Sequence, residues 1–351
     1  MRLLFGLAAL VAAAPALWGT SASAQAAAPA AARGDACDRA CLRGKADALL
    51  ASIVAHDPGR LPLARTYRAT ENGVPAALPM MTIWRTATAA AHTFHVIDPV
   101  SQQVLLVSDI AEGSSHALLF GRIRVAQGQI SEIELYVDRS RSDGGFQFEA
   151  TGLAQLPSAW TQQVAPARLP TRDALLVAGR SIFDTRLSGP EAAPSCVMME
   201  NGKPVAEDPE VLKVIGGGGP ELAHNADGSV PIPCGAPPFR PTDPDARTDI
   251  VDEAQGIVVS IGTMEGLVQP YVITAPTISA FVPDAMMQPY LDLLAAQRKT
   301  GRFNRPELVP TRASITVVQM QRYYDGKLQG MHLLEKLGPV GARSPWTAKN
   351  P

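Results

Sequence analysis

The sequence predicts an α+β protein made of two divergent copies of one unit, each a helix followed by a hairpin-rich antiparallel sheet. Three observations predict it: short motifs recur in order, a helical apolar pattern opens each copy, and strand-like runs separated by turn signals follow. Asp47-Ala48-Leu49-Leu50 is matched by Asp173-Ala174-Leu175-Leu176, and Glu71-Asn72-Gly73 by Glu200-Asn201-Gly202, at nearly equal spacing. Further on, Gln103–Ser108 resembles Gly256–Ser260, and Val125–Ile130 resembles Tyr323–Leu328. The spacing grows along the chain. The second copy therefore carries insertions, between Lys203 and Arg247 and between Leu267 and Thr311.

The elements follow in order. Over Cys37 to Ala55, residues Leu42, Ala46, Leu49, Leu50 and Ile53 fall on one helical face. His56-Asp57-Pro58 ends this helix, because proline disfavours helix in the residue before it. Strands are expected at Thr93–Ile97, Val104–Ser108, Ala117–Val125 and Ile130–Val137, with turns at Asp98-Pro99 and Gln127-Gly128-Gln129. The second copy repeats the scheme. It has a helix over Thr171–Asp184, strands near Gly256–Gly262, Ala313–Tyr323 and Leu328–Leu334, and an extra helix at Ala285–Arg298. Gly216 to Gly219 has no following Lys-Ser/Thr and no strand–helix context, so it reads as a loop rather than a phosphate cradle. The connection around residues 146–170 holds Leu153, Leu156, Trp160 and Val164. A plain linker would be polar, so these side chains are expected at a buried junction.

The ends and the composition bound the setting. Arg2, the apolar run Leu3–Leu17 and Ala22-Ser23-Ala24 form a secretory signal pattern over residues 1–24, and residues 25–36 read as a flexible tether. The expected location is secreted or periplasmic, with no membrane span after signal cleavage. The domains are then 37–145, an apolar connector 146–170, 171–340 with its inserts, and a tail 341–351. The net charge is −2 and the sequence pI about 6.3, which leaves no basic field for nucleic acid. Four cysteines, Cys37, Cys41, Cys196 and Cys234, suit two disulfides in an oxidising compartment. Three connectivities satisfy that count. One bridge per copy, Cys37–Cys41 and Cys196–Cys234, is the expected one. Cys37-x3-Cys41 has no histidine or second pair nearby, which speaks against a metal site.

Several of these residues resemble a known group. They are Cys37-x3-Cys41-Leu42, His56-Asp57-Pro58, Glu71-Asn72-Gly73, and Gly128-x-Ile130-x-Glu132-Ile133-Glu134. Cys196, Glu200-Asn201-Gly202 and Asp252-Glu253-x2-Gly256-Ile257-Val258 join them. Together they resemble an uncharacterised secreted family of the nuclear transport factor two-like, polyketide-cyclase-like superfamily. The resemblance implies two tandem cone-shaped modules, each with helices laid against a curved antiparallel sheet around a small-molecule pocket. Leu78-Pro79-Met80-Met81 departs from it, where a glycine-rich turn is expected. The superfamily spans isomerases, dehydratases, cyclases and binding modules, so the resemblance leaves the reaction open.

Polar side chains on otherwise apolar strands are the candidates for chemistry. Arg122 sits in Leu118-x-Phe120-x-Arg122, Glu134 in Glu132-x-Glu134-x-Tyr136, and His95 in the strand before them. Around one cavity, His95 or Glu134 as general base and Arg122 as oxyanion partner would support proton abstraction. Tyr67, Trp84, Phe120 and Tyr136 are the expected substrate-binding wall. The structural readings stand beside these: an Arg122–Glu134 cross-strand ion pair, a packed His95, a core Trp84, and His56-Asp57 and Glu71-Asn72-Gly73 as junction and turn. No Gly-x-Ser-x-Gly, His-Glu-x-x-His or dinucleotide fingerprint occurs, so neither metal nor cofactor is expected. One expectation is a cofactor-free lyase, isomerase or dehydratase on a mostly apolar molecule. The other is a non-catalytic small-molecule binding or structural protein, whose interior would be filled by large side chains if it only held partners together. Non-reducing peptide mapping is expected to recover both bridges within their own copies; a peptide joining Cys37 to Cys196 or Cys234 would overturn that assignment.

Overall fold

Each helix of the repeat starts where the sequence supplies its first turn. Asp38 is extended and its carboxylate accepts from Cys41 N, and α1 (Arg39–Val54) buries Leu42, Ala46, Leu49 and Ile53. These coordinates are a computed structural model. It describes residues 36–140, 147–181, 183–184, 187–189, 191–207, 209, 225–226, 228–232, 234–235, 245–271, 279–301 and 306–347. The signal pattern, the tether before residue 36 and the four-glycine run lie outside the described residues. After α1, Asp57 caps a short turn at Pro58–Arg60 by accepting from Gly59 N, as the helix-ending reading of His56-Asp57-Pro58 expects.

The first sheet contains β1 (Leu63–Glu71), β2 (Val74–Pro75), β3 (Ala89–Asp98), β4 (Gln103–Glu112), β5 (Ser115–Ala126) and β6 (Gln129–Asp138). Between β2 and β3, Leu78–Met80 turns into the short helix α2 (Thr82–Thr86), which fills the place of the expected glycine-rich turn. The connector carries α3 (Ser158–Thr161), and the second repeat opens on α4 (Arg172–Ser181). Its strands are β7 (Ala192–Glu200), β8 (Lys203–Pro204), β9 (Ala206–Glu207), β10 (Val230–Pro231), β11 (Asp245–Asp252), β12 (Ile257–Pro270), β13 (Ser279–Pro283), β14 (Thr311–Tyr324) and β15 (Lys327–Gly338). Helix α5 (Met287–Lys299) lies in the second insert, close to its expected place.

The two sheets match strand for strand. The first runs β2-β1-β6-β5-β4-β3 and the second β8-β7-β15-β14-β12-β11, with β13 added on β12. The turn Asn72-Gly73 has positive φ at both residues, as do Asn201 and Gly202, which is the conformation a primed hairpin turn needs. Asn72 Oδ1 accepts from Val137 N, and Asn201 Oδ1 accepts from Glu335 N, each at 2.8 Å. These paired contacts set the correspondence between the copies. One expectation is corrected here. Both sheets are mixed rather than antiparallel, because β1 joins β6 in parallel and β7 joins β15 in parallel. In each repeat the last strand of the meander takes the first strand in parallel on its outer side, and the Asn side chain that follows the first strand bonds to it. Bulges bend the ladders at Leu63/Arg68, Ala91/Phe94 and Arg124/Val125, and at Leu328/Gly330, Thr248/Ile250 and Arg322/Tyr323.

The two sheets pack face to face between their helices. α1 and α2 cover the outer face of the first sheet over Leu106, Leu119, Ile133 and Leu135. α4 covers the outer face of the second over Val258, Ile315, Val317 and Met331. Between the sheets lie Leu105, Val107, Phe120 and Tyr136 against Ile257, Val259, Val318 and Met320. The connector enters this layer with Leu153 and Trp160 buried and Leu156 packed on them, so it is a junction and not a linker. A Cβ on Gly330 would stand 2.9 Å from the Trp160 ring, so only glycine admits the indole there. The disulfides are Cys37–Cys41 and Cys196–Cys234, one within each repeat.

Two crossed ion pairs fix the packing. Arg39, the first residue of α1, forks onto Asp252 at the end of β11, with contacts of 2.8 and 2.7 Å. Arg172, the first residue of α4, forks onto Asp98 at the end of β3, at 2.9 and 2.7 Å. Both aspartates are fully buried. Asp252 also accepts from Ile97 N, and Asp98 from Val251 N, so each carboxylate ties the opposite strand as well. Arg172 holds the Asp98 carboxyl below the ordinary range against the opposing effect of burial. Removing either aspartate leaves a guanidinium and a strand N–H unanswered. Asp98→Ala and Asp252→Ala should each cost about 3 kcal/mol in urea unfolding. The paired variant Arg39→Met with Asp252→Leu should cost less than Asp252→Ala alone.

Candidate functional site

The candidate residues are divided by the pleat of the first sheet. Successive side chains of a strand face opposite ways. On β3, Val96 points into the layer between the sheets, so His95 points at α1. Its Nδ1 lies 3.2 Å from Arg43 Nη1 and its Nε2 2.9 Å from Asp47 Oδ1, two groups one helical turn apart. Burial lowers the imidazole below its ordinary value of 6.5; Asp47 opposes that and Arg43 adds to it. Trp84 shares this face and is buried, with its indole N–H donating to Ser52 Oγ at 3.1 Å. His56 Nδ1 meets Trp84 O at 2.6 Å. Glu71 accepts from Ile83 N and from Thr82 Oγ1, so it caps α2.

Arg122, Glu134, Tyr136 and Phe120 occupy the opposite face. Arg122 Nε donates to Glu134 Oε2 at 2.6 Å, and its Nη1 donates to Gln103 Oε1 at 2.6 Å. Tyr136 OH donates to Glu134 Oε1 at 2.7 Å. The residue missed from sequence is Arg247 on β11. It reaches across to Glu134 at 2.7 and 2.6 Å, and also binds Asp249 and Ser344. The tail then closes the cluster, with Trp346 stacked 4.4 Å from Arg68 and 4.8 Å from Arg122. Burial works against the charge of Glu134, but Arg247 and Arg122 outweigh it and hold its carboxyl below the ordinary value of 4.5. Burial and the Glu134 charge push the Tyr136 phenol well above its usual range. Phe120 packs edge-on against His332, ring centroids 5.2 Å apart. His95 and the Arg122–Glu134 pair therefore do not line one cavity, as the sheet stands between them. Tyr67 is apart from both, exposed on the β1 edge.

The interior under α1 is filled by Leu42, Leu49, Ile53, Leu78, Ile83 and Trp84, all nearly inaccessible. The second repeat differs. A cleft of about 270 Å³ opens beside α4, lined by Pro170, Ala174, Leu175, Ala178, Ser181 and Tyr323 among others. On the helix-facing side of β14, Gln319, Gln321 and Tyr323 stand in a row and are all buried. Tyr323 OH and Gln321 Oε1 are 3.2 Å apart, while Gln321 Nε2 and both amide atoms of Gln319 have no partner. Their counterparts in the first repeat are Gly121, Ile123 and Val125. No group of three or more His, Cys, Asp or Glu arranged for a metal occurs among the described residues. No helix of the described residues is long and apolar enough to cross a membrane.

Comparison with known proteins adds little to this geometry. No family model and no curated protein matches the chain. Among solved structures, a de novo designed protein with a curved β-sheet aligns at a TM-score of 0.25 and 13% identity. It covers 29% of this chain and 88% of its own. IdmH from Streptomyces antibioticus, a proposed polyketide cyclase, aligns at 0.23 and 12% identity, covering 28% of this chain and 91% of its own. Both scores are too low to carry an argument about this chain.

The Glu134 cluster makes a direct prediction. Glu134→Gln leaves Arg122 and Arg247 facing each other, and should destabilise the protein by about 3–5 kcal/mol in denaturant unfolding at pH 7. Because the folded pKa of Glu134 is depressed, its contribution is present above pH 4.5 and is lost as pH falls through the lower folded value. The gap between wild type and Glu134→Gln should therefore narrow in acid.

Proposed function

We propose that this protein is a non-catalytic, extracytoplasmic small-molecule binding protein built from two cone-like units, with its ligand seat in the second. The signal pattern and the two disulfides support the compartment. One contrast carries the assignment to the second unit. Where the first has Gly121, Ile123 and Val125 in a filled interior, the second has a buried row of Gln319, Gln321 and Tyr323, whose last member lines a cleft. Buried amide atoms without partners cost stability unless something supplies their hydrogen bonds. A ligand with an apolar body against Leu175 and Ala178, and a neutral polar end toward the glutamines, would do so. A carboxylate end would find no cation among the described residues beside the glutamines, and the acidic group in the cleft's lining, Glu191, is already paired with Lys327.

On this reading His95, Arg122 and Glu134 serve structure. Each has a charged neighbour at hydrogen-bond distance, and Glu134 is saturated by Arg122, Arg247 and Tyr136. A general base needs a free lone pair facing substrate, and Glu134 has none.

The test is binding and turnover with benzamide, benzoate and toluene, which share one body. Benzamide should bind best, and at one hundred times its Kd should stabilise the protein by about 2.7 kcal/mol. Ala178→Trp should fill the cleft and abolish binding. Gln319→Leu should weaken benzamide but not toluene, while leaving stability unchanged or raised. Absence of binding by all three probes, or full binding in Ala178→Trp, would sink the proposal. Turnover of a probe that Glu134→Gln removes would restore the catalytic reading.

A further inference from the structure

We propose that the outer edge of β1 is a docking groove for an extended, acidic segment of a partner protein. This goes beyond the ligand seat and does not depend on it. β2 pairs with β1 only at Thr70 and Glu71, where it meets Pro75 and Val74. On the other side, β1 advances from Leu63 to Arg68 while β6 advances only from Ile130 to Glu132. Residues Ala64 to Tyr67 thus pair with neither strand, and Arg65 to Arg68 are exposed. Such an edge presents backbone donors and acceptors to any extended chain laid along it.

The second repeat shows what the same edge receives. β7 has the matching bulge, advancing from Ala192 to Val197 against Leu328 to Gly330. There the chain lays a segment of its own along the run that follows β8, and a disulfide ties that segment to β7. Ile232 N donates to Val205 O at 3.0 Å, Pro231 pairs with Ala206, and Cys234 is bonded to Cys196. Ala76 N donates to Ala69 O just as Val205 N donates to Met198 O, which aligns the two edges. Cys196, Val205 and Ala206 thereby correspond to Tyr67, Ala76 and Ala77. In the first repeat those three, with Arg68, Pro75 and Pro345, line a groove of about 420 Å³. The stretch Val230–Ile232 has a seat in one repeat, and the equivalent seat in the other is an open groove.

Charge selects the occupant. Arg65 has no ion-pair partner among the described residues, and Arg68 stands on the groove wall. Two copies meeting edge to edge would oppose these arginines to one another, which is unfavourable for like charges on paired strands. An acidic segment finds complementary charge at Arg65.

The probe is a fluorescein-labelled peptide Asp-Val-Pro-Ile-Pro-Glu, patterned on Val230–Pro233 with acidic ends, titrated into the purified protein. A control peptide carries lysine at both ends. The acidic peptide should bind saturably, with backbone NMR shifts confined to Ala64–Thr70 and to Ala76 and Ala77. Arg65→Glu should weaken it about tenfold or more, and Ala77→Trp should block it, with thermal unfolding of Arg65→Glu unchanged. The proposal is overturned if no saturable binding occurs, if the lysine peptide binds equally, or if Arg65→Glu leaves affinity unchanged. A concentration-dependent dimer abolished by Arg65→Glu would instead assign the edge to a second copy. Loss of benzamide binding with intact peptide binding would fail the ligand seat alone.

Discussion

Everything else in this molecule is arranged around two buried carboxylates. Asp98 and Asp252 have no exposed surface, so every lone pair must be answered within the protein. Each answers the same set of groups. Asp98 takes its own turn at Val100 and Ser101, the opposite strand at Val251, and the opposite helix at Arg172. Asp252 takes Gln255, Ile97 and Arg39 in the same sense. The exchange is reciprocal, so neither repeat satisfies its aspartate without the other. The hydrophobic layer between the sheets supplies the larger share of the driving force, but it is nondirectional. The crossed pairs decide which faces meet and in what register.

The same frame has been filled in two ways. Turn, bulges, strand order and crossed aspartates are common to both repeats, and these are the positions where backbone geometry is demanding. Side chains under the helices are under no such demand. The first repeat packs Leu106 and Leu135 into the space that Gly121 leaves, whereas the second places Gln319 there. Between the sheets the copies also diverge. Glu134 corresponds to His332, which is fully buried, flanked by Phe120 and Trp160, and held far below its ordinary value, near 3, by desolvation. A charged cluster sits over one half of the interface and a neutral aromatic one over the other.

Much of the fold was legible because it is written in period and turn chemistry. α1 and strands β3 to β6 carry continuous apolar faces, and Asn-Gly marked its turn twice. β1 was not legible. Its middle, Arg65-Thr66-Tyr67-Arg68, is exposed and bulged, so no alternation of apolar residues survives there. The parallel pairing of β1 with β6, and the Asn72 Oδ1 bond to Val137 N just beyond it, join residues far apart in sequence. The division of the candidate residues between two faces was not legible for a related reason. Placing His95 with Arg122 and Glu134 required knowing which face of each strand met a helix and which met another sheet. Alternation gives two faces but does not say what covers them, and both were apolar enough to be core. Arg247 carried no signal, since its partner Glu134 lies in the other copy.

Covalent duplication explains why these asymmetries can coexist. In a symmetric homodimer of one such unit, an open strand edge would occur twice and a filled interior would be filled in both halves. Joined in one chain, the copies keep the reciprocal Asp–Arg exchange yet change independently elsewhere. One repeat lays Val230–Ile232 beside its first hairpin and ties it there through Cys234–Cys196, and the other leaves the equivalent groove open. One interior is sealed by Trp84, and the other keeps amides that its own residues do not satisfy. A solid half and a half with unmet hydrogen bonds are thus locked in one register within one chain.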